Sequence, residues 1–278
     1  MIRAALASAV ARLSPISESA RLDAELLLAH LLGWNRAQLR SRDDEPLSAQ
    51  VTAHYDRLIE RRASGEPVAY LVGYRDFWKS RFAVGPGVLV PRPETELLVE
   101  TALEWLSLTP NPQILDLGAG TGAIGLSLAL ERPDADVDLV DASSQALAIA
   151  DLNRTHLGVA RARLFRGSWF APVAGGRYHL ILSNPPYIAP DDPHLATLQL
   201  SHEPLEALAA ADAGLADLRH IVSLAPAHLH PGGRLLLEHG YDQGPPVRTM
   251  LAEAGFGRIH TYRDLSGMER ATGGGLGD

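Results

Sequence analysis

From residue 112 onward the chain alternates short apolar segments with stretches of helical periodicity, and few architectures accept that alternation. The candidate strands are residues 114–117, 137–140, 163–165, 180–183 and 234–238, with helical stretches such as 122–130, 145–153 and 215–224 between them. A helix inserted between two strands of one sheet makes them parallel, and a parallel sheet is covered on both faces. The expectation is an α/β domain around a Rossmann-like, mainly parallel sheet. Residues 258–262 and 270–272 read as a final strand pair, and 273–278 as a frayed tail.

The first 75 residues show no such alternation. Leu22, Leu26, Ala29 and Leu32 share a helical face, with Ser19 as a cap and Gly33 as a stop. Val51, Tyr55, Leu58 and Ile59 form a second face that ends near Ser64-Gly65, and Asp43-Asp44-Glu45-Pro46 break the chain between the two. Residues 1–13 are too weakly apolar for a secretion signal and predict an amphipathic first helix. A hairpin is expected over 76–92: Phe77-Trp78, Arg81 to Val84, a Gly85-Pro86-Gly87 turn, then Val88-Leu89-Val90. The domains expected are 1–75 (helical, either a stabilising appendage or an element that docks a macromolecular substrate), 76–92 (a hairpin linker) and 93–278 (catalytic).

The chain of 278 residues has no cysteine, which excludes disulfides, thiolate metal sites and cysteine nucleophiles. No apolar run is long enough to span a membrane. The expectation is a cytoplasmic monomer. Its charge of −8 is unevenly shared: residues 1–75 hold 10 Arg against 9 Asp+Glu, while 76–278 hold 15 Lys+Arg against 24 Asp+Glu. An acidic catalytic part argues against binding duplex nucleic acid, which needs clustered cations.

Asp116-Leu117-Gly118-Ala119-Gly120-Thr121-Gly122 stands where a strand passes into a helix. Glycines there let a ligand approach the backbone. The loop lacks the lysine of a triphosphate-binding loop, and the carboxylate before it suits a cation better than a pyrophosphate. Asp141 ends the next candidate strand, where a carboxylate accepts both hydroxyls of a ribose. The alternative for Asp141 is a cap on the following helix. A nucleoside with a positive group and no phosphates fits the pair, and S-adenosylmethionine is such a ligand.

Asn184-Pro185-Pro186-Tyr187 follows an apolar strand. The Pro185 carbonyl and the Asn184 side-chain oxygen offer two acceptors for the two hydrogens of one planar NH₂ group, and Tyr187 offers an aromatic face. Held that way, an amide or exocyclic amine aims its lone pair at a methyl donor, and positioning supplies most of the catalysis. No Ser/His/Asp triad or metal-ligand spacing competes, so no metal is expected. His228 and His230 read as solvated.

With these residues the chain resembles the class I S-adenosylmethionine-dependent methyltransferases that act on a planar nitrogen. More narrowly, it resembles the bacterial release factor glutamine methyltransferases along nearly its whole length. The resemblance is carried by the helical start, Pro91-Arg92-Pro93-Glu94-Thr95-Glu96, Gly167-Ser168-Trp169-Phe170, Asn184 to Tyr187, Glu203-Pro204, Leu237-Glu238-His239-Gly240 and Asp264-Leu265-Ser266-Gly267. It implies a class I methyltransferase fold, with a reversed last strand, behind a small helical domain and a connecting β-hairpin. It implies cofactor contacts from Gly118, Ala119, Gly120, Thr121, Gly122, Asp141, Asn184 and Trp169, the last beside the adenine. It also implies a substrate, the glutamine of a Gly-Gly-Gln loop in class 1 peptide chain release factors. Asn184 and Pro185 would hold that amide, and Pro186 and Tyr187 would shape the slot. One departure is His202, where the family has Phe before Glu-Pro; this bears on local packing. The alternative activity is N(6)-adenine methylation of DNA, since a similar tetrapeptide serves adenine amines.

Overall fold

The computed structural model describes residues 1–198 and 200–277. They divide into two compact units, Met1–Tyr74 with Ala196–His202, and Arg75–Leu195 with Glu203–Asp278. Among the described residues no helix is long and apolar enough to cross a membrane.

The first unit is helical. Its elements are α1 (Ile2–Leu13), α2 (Ala20–Leu32), α3 (Arg36–Ser41), α4 (Ala49–Ala63) and α5 (Val68–Val72). Helix α1 buries Ile2, Leu6, Ala9 and Leu13, residues three or four apart that share one face. They pack with Leu27, Leu28, Tyr55 and Ile59, and the Tyr55 hydroxyl donates to the Ala24 carbonyl at 3.0 Å. Gly33 ends α2 in the left-handed conformation expected of it. Ser19 precedes α2 without capping it by its side chain: its hydroxyl donates to Asp23 at 2.9 Å, because that buried carboxylate needs donors. His202 lies in this unit, where its Nε2 meets the Ser64 carbonyl at 3.0 Å. The imidazole thus uses a polar partner that a phenyl ring could not.

The second unit begins with a hairpin of β1 (Tyr74–Phe77) and β2 (Ser80–Ala83). The expected hairpin partner at Val88-Leu89-Val90 is not a strand. The Val90 N–H donates to the Glu203 carboxylate at 3.0 Å, and Arg92 pairs with the same group at 2.6 Å, so this segment is tied by a buried acid instead of a ladder. Then follow α6 (Glu96–Trp105), β3 (Gln113–Leu117), α7 (Ala123–Glu131), β4 (Asp136–Asp141), α8 (Ser144–His156), β5 (Arg163–Arg166), β6 (Tyr178–Ser183), α9 (Ala216–Leu224), β7 (Leu229–Glu238), α10 (Gly244–Glu253), β8 (Phe256–Arg263) and β9 (Glu269–Leu276).

The seven-stranded sheet has the order β5-β4-β3-β6-β7-β9-β8, parallel except for β9, which runs antiparallel to both its neighbours, β7 and β8. Apolar clusters line it: Ile114, Val137, Leu139 and Leu180 belong to one, Leu115, Val140, Ile181 and Leu235 to the other. Neighbours in sequence alternate between the clusters, as the period of two demands. The expected tail is a correction, since residues 273–276 continue β9. Gly273 is there because any Cβ would come within 2.5 Å of both the Leu235 carbonyl oxygen and the Trp105 ring. Asp278, the end of that tail, lies outside the described residues. The two histidines are also corrected: His228 stacks on Phe170 with ring centres 4.5 Å apart, and His230 hydrogen-bonds Gln113 at 2.7 Å.

Candidate active site

The chain runs outward on β4 to one side of β3, and on β6 to the other, so the loops after these three strands meet at one edge of the sheet. Such a point, where the strand order reverses, leaves a crevice for a ligand. A cavity of about 580 Å³ occupies it. Its walls include Gly118, Gly120, Asp141, Trp169, Asn184 and Pro186, which come from four separate loops.

The Gly118 and Ala119 N–H groups both donate to the Val140 carbonyl, which seats the loop against β4. Gly120 has a φ of 57°, a conformation that costs an L residue roughly 1–2 kcal/mol. In it, the Gly120 N–H donates to Asp141 Oδ2 at 2.8 Å. The Ser143 N–H donates to the other oxygen, also at 2.8 Å. Each oxygen retains acceptor capacity toward the cavity. The helix cap of α8 is Ser143, not Asp141. Burial raises the Asp141 pKa, and the N–H groups of Ser143 and Gly120 oppose it.

Asp116 differs from expectation. It is fully buried and is not on the cavity wall: Oδ2 accepts the Gly125 N–H at 2.9 Å, and Oδ1 has no partner among the described residues. Burial pushes its pKa up to about 7, with Gly125 opposing and Asp141 adding. Ala119 and Thr121 are buried and Gly122 starts α7; none of the three lines the cavity. Trp169 lines it and also packs on the core cluster, with a φ of 48° that is unusual for an aromatic residue.

Behind β6, Asn184 Nδ2 donates to the Thr95 hydroxyl at 3.2 Å. That engages the amide nitrogen and leaves Oδ1 without a hydrogen bond among the described residues; the Pro185 carbonyl, on a buried residue, is likewise unengaged. The Tyr187 hydroxyl donates to Glu238 Oε1 at 3.3 Å, and its carbonyl accepts Gln243 Nε2 at 2.9 Å. Burial raises the Tyr187 pKa, so the phenol stays protonated.

Periodicity and spacing did not find Gln145, Glu206 or Asp217, which line the cavity, nor the link from Asn184 to Thr95. The signal for Thr95 was its place between two prolines and a helix; the acids carried none. With Asp141, those acids give the lining, among the described residues, three carboxyl groups and neither Lys nor Arg. Such a cavity suits a cation and repels phosphates.

An anionic crevice at the switch point of a mainly parallel sheet in which β9 alone runs reversed defines a class I methyltransferase. Residues 4–73 match the family described as PrmC N-terminal domain, and residues 93–210 match the methyltransferase small domain. The chain is 50% identical to the release factor glutamine methyltransferase of Burkholderia pseudomallei, over 98% of this chain and 96% of that one. It is 44% identical to that of Escherichia coli, over 92% of each. The protein belongs to the release factor glutamine methyltransferase family. A solved 16S rRNA N2 G1207 methyltransferase from T. thermophilus has a TM-score of 0.55 at 21% identity, over 73% of this chain and 49% of that one, and shares the fold alone.

Proposed function

We propose that the protein methylates the side-chain amide nitrogen of the glutamine in the Gly-Gly-Gln loop of class 1 peptide chain release factors, with S-adenosylmethionine as donor. The observation that carries this reading is the pair of unengaged acceptors, Asn184 Oδ1 and the Pro185 carbonyl, beside a cavity with acidic walls. The cavity volume is within the range of sites for cofactors of this size. Gly118 and Gly120 would bring backbone against the cofactor, Asp141 would accept its ribose hydroxyls, and Trp169 would flank its adenine. When bound, it supplies an electrophilic methyl group on a positively charged sulfur.

The residues of the chain do the rest. Asn184 and Pro185 take one amide hydrogen each, which turns the nitrogen lone pair away from them and toward the donor. Pro186 and Tyr187 flank the amide plane. The nitrogen loses its proton after transfer, so no strong base is needed beforehand. The helical unit is the element that docks the release factor.

Purified protein with labelled cofactor should label a release factor, and not a variant whose loop glutamine is replaced. Equal labelling of that variant, or efficient labelling of duplex DNA alone, would overturn the reading. Residues 75–278 alone should label the intact factor poorly; unchanged efficiency would remove the docking role of the helices.

A further inference from the structure

Residues 84–92 form neither helix nor strand, yet Gly87, Val88 and Leu89 wall the cavity. Pro204, Glu206 and Ala207 wall it from a second stretch, whose only regular structure is one 3₁₀ turn, Leu205–Ala207. Glu203 joins the two. Its side chain is 1% exposed; Oε2 accepts the Val90 N–H at 3.0 Å, and Oε1 accepts Arg92 Nη2 at 2.6 Å. Both partners are donors, so the place requires two acceptor oxygens. A glutamine has one, and its NH₂ would face an N–H. A buried ion pair is often no more stabilising than apolar side chains of the same volume, so stability alone does not account for the acid.

The bond to Arg92 reaches further. The Arg92 carbonyl accepts the Thr95 N–H at 3.1 Å and opens the single 3₁₀ turn Pro93–Thr95. The hydroxyl of Thr95, a residue 4% exposed, accepts Asn184 Nδ2 at 3.2 Å. A continuous set of bonds thus runs from Glu203 through Arg92 and Thr95 to Asn184, the side chain proposed to hold the substrate amide.

We propose that Glu203 is a positioning residue: by accepting from Val90 and Arg92 it holds residues 87–89 as a wall of the cofactor cavity and sets the turn whose Thr95 hydroxyl keeps the Asn184 oxygen free for the substrate. The inference rests on the function proposed above. The two orientations of an asparagine amide have nearly the same shape, so its hydrogen-bond partner decides between them. Thr95 is that partner, and the turn that carries it starts at the residue Glu203 grips. Release of Glu203 therefore loosens two things at once, the wall against the cofactor and the group that orients the amide holder. A misplacement of about 1 Å at such a group is enough to cost a large factor in rate.

The test uses the full chain and two readouts, each taken below the melting temperature of the variant: the dissociation constant for S-adenosylmethionine alone, and kcat on an intact release factor at saturating cofactor. Glu203→Gln should weaken cofactor binding about 10-fold and lower kcat about 10-fold. The Arg92 side chain is 36% exposed, so Arg92→Met admits water to Glu203 and decides the question if Glu203→Gln does not fold. It should lower kcat about 10-fold, and Arg92→Lys, which keeps a charged donor, should recover most of that loss. A merely structural role would lower melting temperatures and leave both readouts of the folded protein at wild-type values; that result overturns the proposal. So does a loss in Glu203→Gln confined to one readout, or an Arg92→Lys no better than Arg92→Met. Wild-type protein that binds the cofactor and labels no release factor would instead break the proposed function.

Discussion

Two buried carboxylates of the catalytic unit, Asp116 and Glu238, differ from those of the helical unit, while Asp138 and Glu203 are paired with Arg163 and Arg92 much as in the helices. In the helical unit Glu25, 1% exposed, accepts from Arg21, Arg36 and Arg40, the nearest at 2.7 Å. Burial acts against its ionised form, yet the hydrogen bonds of Arg36 and Arg21 hold its pKa below the usual value. Asp23 takes Arg62 at 2.8 Å with hydroxyls from Ser17 and Ser19. In the catalytic unit Asp116 and Glu238 are buried as deeply, and each keeps one oxygen without a partner among the described residues. Where a carboxylate only ties helices together, its charge is matched. Asp116 and Glu238 are left under-matched, and burial pushes the pKa of each up to about 7.

Removing a partner from the matched set should have the largest effect. Arg62→Ala leaves Asp23 buried with two hydroxyls, and should destabilise the helical unit by about 3 kcal/mol in a denaturant titration. A change under half of that would mean the pair is not what holds α2 to α4. Next is the substrate side: Asn184→Ala should lower turnover by on the order of 10²-fold, equivalent to about 2.7 kcal/mol, with normal melting. Normal turnover would remove the amide-holding role.

The smallest effect concerns the unmatched acid beneath the glycine loop. The folded-state pKa of Asp116 is raised above its unfolded value, so its contribution to stability is present at low pH and lost as the pH climbs through about 7. Asp116→Asn should therefore gain on the wild type by about 1.4 kcal/mol between pH 6 and pH 8.5. A melting-temperature difference that is the same at both pH values would show that Asp116 does not titrate there.

The comparison also revises what the charge count suggested. The ten arginines of residues 1–75 could form a basic surface for a partner, yet Arg3, Arg12, Arg21, Arg36, Arg40, Arg42, Arg61 and Arg62 all lie in ion pairs within the helical unit. Near-neutrality there reflects internal pairing. Docking by this unit would have to use apolar surface as much as charge.

Most of the sheet was legible because burial on both faces writes a strand as a run of Val, Ile and Leu. The expected strands near 114–117, 137–140 and 180–183 are β3, β4 and β6 within two residues at either end. Residues 88–90 misled for the same reason: Val88-Leu89-Val90 is apolar and buried at Val88 and Val90, but its backbone partner is a carboxylate 113 residues away. The glycine tail misled in the other direction. Its residues have no side chains to signal burial, and only the closeness of Trp105 and Leu235 explains why glycine is required at 273.

By itself the sequence determined the parallel sheet, the glycine loop, the acid at the end of β4 and the tetrapeptide after β6, because each depends on residues adjacent in the chain. Tertiary structure decided which acids face the cavity and which lie beneath it. It also decided that Thr95, 89 residues from Asn184, accepts that side chain's N–H, and that Glu238, 51 residues from Tyr187, accepts the tyrosine hydroxyl. Hydrogen bonds act over about 3 Å of space and are blind to separation along the chain.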